Sequence, residues 1–154
     1  TQNFATENRL LWIRRISHCV ACLLTKTLSN EQVPPMNISD KINYVEFAAK
    51  DIDATKRFFS EVFGWAFEDY GADYVAFSDQ GIDGGFYRAD LASSFGDGGA
   101  LVILFSDALE EVLSNVENAG GIITRPIFSF PGGRRFHFTE PSGNELAVWT
   151  DVST

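Results

Sequence analysis

The chain predicts an α+β fold: two βαβββ modules in tandem, forming a curved mixed sheet around a cleft, with the helices on the outer face. Three observations predict it. Asp51 and Gly64 lie 13 residues apart, as do Asp107 and Gly120, a shift of 56 residues. In each half a strand pattern precedes the Asp, an apolar helical stripe fills the interval, and three short strand patterns follow the Gly. The 154 residues are 45% hydrophobic and include 14 Phe, enough core for one ordinary domain.

Each element has its own local reason. Ile42 to Ala48 alternates, with Val45 and Phe47 on one face and Ile42, Tyr44 and Glu46 on the other, so it reads as a strand. Asp51 is a good N-cap for a helix to Phe63, with Ile52, Phe58, Phe59, Val62 and Phe63 as its apolar stripe and Gly64 as its stop. Strands are expected near 65–70, 74–78 and 84–87, between Gly/Asp turns. Residues 89–99 form a polar, glycine-rich connection. The order then repeats. A strand over 101–105 leads to Asp107, read as the second cap, with Glu110 in the acidic capping-box position. Leu109, Val112, Leu113 and Val116 make the second stripe, stopped by Gly120-Gly121. Strands over 122–130, 134–139 and 145–150 complete the second module, with Pro131-Gly132-Gly133 and Pro141 to Asn144 as turns.

Charge divides the chain. Residues 1–35 hold four basic and two acidic residues, whereas residues 36–154 hold 8 basic and 19 acidic, a net of −11. Pro34-Pro35 closes the first segment and the one methionine, Met36, follows. Residues 1–35 are expected to be a leader or a non-native, disordered segment. Residues 36–154 are expected to be a single domain, with modules at about 40–88 and 100–151. Cys19 and Cys22 form a C-x-x-C without a second ligand pair, most simply an incidental pair. No further cysteine follows, which fits a reducing, cytoplasmic setting. The net charge of −9 repels phosphate backbones, and no apolar run is long enough for a membrane span. Nucleic acid and membrane are therefore not expected partners.

The motifs Ile42 to Phe47, Arg57-Phe58-Phe59, Val62 to Trp65, Val116 to Gly121 and Thr139 to Leu146 resemble the vicinal oxygen chelate superfamily. This superfamily includes glyoxalase I, extradiol dioxygenases, fosfomycin-resistance transferases and metal-free bleomycin-binding proteins. The resemblance covers residues 40–151 and implies the paired βαβββ fold, a homodimer and a small-molecule cleft. Its metal enzymes chelate a divalent cation that polarises substrate oxygens. Carried onto this chain, their ligand positions fall at Tyr44, at Leu101 (Ala100 if the repeat is followed strictly) and at Ala147. Gly84 to Tyr87 on the fourth strand supply no carboxylate. The expected cofactor is therefore none: the ligand positions do not support a divalent metal.

Period-two alternation puts Tyr44 and Glu46 on one face, which the resemblance makes the cleft side, together with Glu145, Ala147 and Trp149. A Glu46–His137–Glu145 cluster is conceivable. However, His137 alternates with Phe136 and Phe138, and the pattern leaves open which set faces the cleft. Glu46, between aromatic neighbours Tyr44 and Trp149, is expected to be partly desolvated, either as a general base or as an anchor for a cation. Arg134 and Arg135 beside Gly132-Gly133 read as two forks for an anion or as solvated hairpin charges. The expected ligand contacts are Tyr44, Glu46, Tyr87, Phe128, Arg135, Glu145 and Trp149. Two functions fit these residues. One is metal-free binding of an aromatic, carbonyl or cationic small molecule. The other is a lyase or isomerase with Glu46 as base and Tyr44 or His137 polarising the oxygen.

Overall fold

The computed structural model describes residues 38–151. The proposed leader, the Cys19–Cys22 pair and Met36 lie outside the described residues. The first module comprises β1 (Tyr44–Ala49), α1 (Ile52–Phe63), β2 (Phe67–Asp69), β3 (Tyr74–Phe77) and β4 (Asp83–Arg88). The second comprises β5 (Val102–Phe105), α2 (Leu109–Asn118), β6 (Ile122–Phe130), β7 (Gly133–Thr139) and β8 (Glu145–Thr150). The tandem βαβββ order is as the sequence predicts. No described helix is long and apolar enough to cross a membrane.

Helix α1 starts and stops where its chemistry directs. The Asp51 carboxylate accepts from the Ala54 amide at 2.9 Å, and Gly64 takes a left-handed φ of 71° that closes the last turn. Helix α2 departs from its expected start. Its cap is Ala108, without a side-chain bond, and Ser106 Oγ instead accepts from the Ala108 amide at 3.1 Å. Asp107 lies one position too early to reach the first turn, so the predicted cap there is not made. Gly120, at φ 88°, ends the helix as expected.

Each module forms its own four-stranded mixed sheet, ordered β1-β4-β3-β2 and β5-β8-β7-β6. β1 pairs parallel to β4 and β5 parallel to β8, and the remaining pairs are antiparallel. The β6–β7 register shifts on both sides of Arg125. Pro126, with no N–H to give the ladder, lies at the second shift.

One aromatic core serves both sheets. Phe47, Val75, Phe77 and Phe86 point inward from the first, and Phe136, Phe138, Leu146 and Val148 from the second. Both helices pack into it. Phe58 and Phe63 of α1 reach Phe138 of the other module, at ring separations of 5.8 and 6.0 Å. Gly121 permits this approach, because a Cβ there would come within 2.9 Å of the Phe58 ring. Each buried Phe contributes roughly 1.5–3 kcal/mol by desolvation.

A buried carboxylate fastens the modules together. Glu140 is 2% exposed and accepts from Thr55 Oγ1 (2.7 Å), the Ser142 amide (2.9 Å), the Asn144 amide (3.1 Å) and Asn144 Nδ2 (2.7 Å). Asn144 Nδ2 also donates to the Ala48 carbonyl at 2.8 Å, and the Asp51 amide donates to Ser142 Oγ at 3.2 Å. The Glu-Pro-Ser-Gly-Asn turn thus ties β1 and the start of α1 to the second sheet. Glu140→Ala strands several buried donors at once. It is expected to cost about 3 kcal/mol in urea unfolding, and Thr55→Val about 1 kcal/mol, with the double variant less than additive. A loss under about 1 kcal/mol for Glu140→Ala would contradict this role.

Candidate functional site

Because both sheets turn their apolar faces to one core, their other faces lie on the side away from it. On the first sheet, alternation and register bring Tyr44, Glu46, Gly85, Tyr87, Tyr74 and Ala76 to the outward face. All four tyrosines of the chain gather in this module. Tyr70 packs against Tyr74 at 6.4 Å and joins Tyr44, Glu68, Tyr74 and Asp83 around a groove of about 580 Å³.

Tyr74 is the organising side chain. Gly85, on the strand between Glu46 and Ala76, has no side chain, and a Cβ there would collide with the Tyr74 hydroxyl. The ring therefore lies over Gly85, and its hydroxyl donates to Glu46 Oε1 at 2.8 Å. The Tyr44 hydroxyl is 2.8 Å from the Tyr74 hydroxyl. Since Tyr74 has one proton and gives it to Glu46, Tyr44 is the donor in the second bond. The row then offers lone pairs outward and no free O–H. Burial, then the bonds to Tyr44 and Glu46, push the Tyr74 hydroxyl pKa well above its ordinary value. The Glu68 carboxylate raises that of Tyr70.

On the second sheet, packing decides what alternation left open. Phe136 and Phe138 face the helices, so Arg135 and His137 face outward beside Trp149 and Ala147. His137 Nδ1 lies 3.2 Å from Glu145 Oε1. A carboxylate only accepts, so Nδ1 carries the proton. The opposite nitrogen, Nε2, is buried without a partner. Glu145 also accepts from the Phe95 amide (3.0 Å) and from Thr124 Oγ1 (3.3 Å), and the Phe95 ring stands edge-on to His137 at 6.0 Å. Phe128 lies under Arg125 at 3.6 Å and near Arg135 at 5.1 Å. Trp149 packs on Phe105 at 5.2 Å.

The structure therefore joins some expected residues and parts others. Tyr44 meets Glu46 through Tyr74, with Tyr87 on the same face. His137 meets Glu145, and Phe128, Arg135 and Trp149 share the second face. Glu46 does not join His137 and Glu145, and among the described residues no group of three His, Cys, Asp or Glu side chains could hold a metal. Glu46 is exposed, not desolvated beside Trp149, because that tryptophan belongs to the other sheet. Arg134 and Arg135 do not form a paired fork either. Alternation sends them to opposite faces, and Arg134 Nη1 reaches Glu110 at 2.5 Å, holding that carboxyl below its usual pKa. The metal positions implied by the resemblance do not fit a chelated cation: the Tyr44 proton goes to Tyr74, and Ala147 offers a buried methyl. Tyr74, Arg125 and Phe95 were not among the expected residues. The signal for Tyr74 was available, since it shares the alternation phase that puts Tyr87 opposite it.

The family model for the glyoxalase/bleomycin resistance protein/dioxygenase superfamily matches residues 41–148. No curated protein matches the chain. Among solved structures, a glyoxalase-related enzyme from Fulvimarina pelagi is similar at 18% identity and a TM-score of 0.61, over 72% of this chain and 88% of that one. A fosfomycin resistance protein from Listeria monocytogenes is 13% identical, with a TM-score of 0.61, over 73% and 94%. A lactoylglutathione lyase from Agrobacterium tumefaciens is 19% identical, with a TM-score of 0.55, over 76% and 95%. At these identities the likeness is one of fold.

The hydrogen-bonded row has a titration signature. The folded state holds the Tyr74 proton more tightly than the unfolded chain does. Its contribution to stability is thus intact below a pH of about 10 and is lost as the pH rises further. Tyrosinate absorbance is expected to show Tyr70 and Tyr74 titrating late, with the Tyr74 step moved back towards the ordinary value, though not fully, by Glu46→Gln. Four tyrosines titrating together would contradict the row.

Proposed function

The chain belongs to the glyoxalase/bleomycin resistance protein/dioxygenase superfamily, and within it we propose a binding protein that takes a cationic small molecule on the tyrosine–carboxylate face without a chelated metal. One observation carries the reading: the Tyr44–Tyr74–Glu46 row has committed both hydroxyl protons inward and presents only acceptors. This acceptor row, beside a groove lined by Glu68 and Asp83 with tyrosine rings around it, complements a ligand that brings N–H donors and positive charge. The net charge of −11 over residues 36–154 draws such ligands in. The lyase or isomerase reading is less well supported. It needs a proton donor beside Glu46 to polarise a carbonyl oxygen, and neither tyrosine has a proton to spare.

The proposed assembly is a homodimer. Tyr44, Tyr70 and Tyr87 on one outward face, and Phe95, Ile103 and Phe105 at the other, are all exposed. The first face is acidic and the second carries Arg125 and Arg135. In a symmetric pair each acidic face meets the partner's basic one and closes a cleft.

Benzamidinium is the probe for the cation face. Calorimetry is expected to show it binding at least about tenfold more tightly than neutral benzamide. Glu46→Gln and Tyr74→Phe should each reduce that preference. Equal binding of the two compounds would count against the reading. Sedimentation should show a dimer that Phe105→Asp converts to monomer, whereas a monomeric parent chain would remove the closed cleft.

A further inference from the structure

We infer a second ligand subsite, on the outward face of the second sheet, that takes the carboxylate of a small aromatic acid. It does not depend on the cation face. The pocket holds about 340 Å³ and is lined by Ile103, Phe130, Gly132, Arg135 and Trp149. Its walls are apolar apart from Arg135, whose Nε is buried without a hydrogen-bond partner. The residue as a whole is half-buried, with no carboxylate among the described residues paired to its guanidinium, and a carboxylate entering this apolar recess supplies the missing counter-charge.

Two nearby carboxylates are engaged elsewhere. Glu145 is held by His137, Thr124 and the Phe95 amide, and Glu110 by Arg134. The guanidinium is held in place as well, 5.1 Å from the Phe128 ring centre and 5.3 Å from that of Phe130. A planar fork fixed on aromatic faces matches a planar carboxylate, whereas a phosphate dianion would want more donors than these walls supply. Phe130 and Trp149, 6.2 Å apart and tilted by 54°, flank the space where the ligand's ring would lie. The volume is at the small end for ligand pockets and suits a single-ring acid.

Benzoate titrated into the full chain, followed by calorimetry and by proton–nitrogen correlation spectra, tests the subsite, with benzamide as the neutral control of the same shape. Benzoate is expected to bind at least about tenfold more tightly than benzamide and to shift the Trp149 indole and Arg135 Nε–H signals. Arg135→Gln should abolish the preference. Equal binding of the two compounds, binding of neither, a preference that survives Arg135→Gln, or shifts confined to Tyr44 and Tyr74 would overturn the inference. If Arg135→Gln does not fold, the benzoate-to-benzamide ratio and the Arg135 signal in the unaltered chain decide. Benzamidinium takes no part in this measurement, so the cation face can fail while the subsite stands.

Discussion

The buried carboxylate of Glu140 is the constraint on which the arrangement depends. A carboxyl group at 2% exposure is tolerable only because hydroxyl, amide and side-chain donors surround it. Three of those donors come from its own turn and the fourth, Thr55, from the first module, so the group is fully satisfied only when the two are joined. The same turn sends Asn144 to the Ala48 carbonyl, across 96 residues of chain. With Phe58 and Phe63 packed on Phe138, the contact fixes the helix-bearing faces of the two sheets towards each other.

That arrangement has a chemical consequence. Strand alternation would by itself give each sheet one apolar and one polar face. Once the apolar faces share a core, the polar faces become two separate surfaces of unlike character. One gathers tyrosines and carboxylates, with their hydroxyl protons turned inward. The other gathers arginines over aromatic rings, with Arg135 Nε and His137 Nε2 unpartnered. A single chain thus carries an acidic, acceptor-rich surface and a cationic one and closes neither against the other.

The order of the elements was legible because it rests on local chemistry. Asp51 and Gly64 bound α1 through contacts a few residues apart, and the Asp–Gly repeat carried the tandem arrangement. Asp107 misled, because the helix begins one residue later, after Ala108, whose amide is held by Ser106. The face of His137 could not be read, since a histidine between two phenylalanines fits either orientation until Phe136 and Phe138 are seen against the helices. The motif Glu140 to Asn144 signalled the family, but its role as a clamp depends on Thr55 and Ala48, 85 and 96 residues away from their partners. Glu46 shares the outward face of the first sheet with Tyr44. Its neighbour was misjudged: Tyr74, made possible by Gly85, stands where Trp149 was expected.

Native-state hydrogen exchange across a denaturant series tests the central claim most directly. If the Glu140 clamp and the shared core make one cooperative unit, the amides of Val75 and Phe86 in the first sheet open with the same free energy as those of Phe136 and Val148 in the second. The Ser142 and Asn144 amides should open with them. Exchange from the first sheet at a distinctly lower free energy, while the second stays protected, would show that the modules stand independently and would contradict the account.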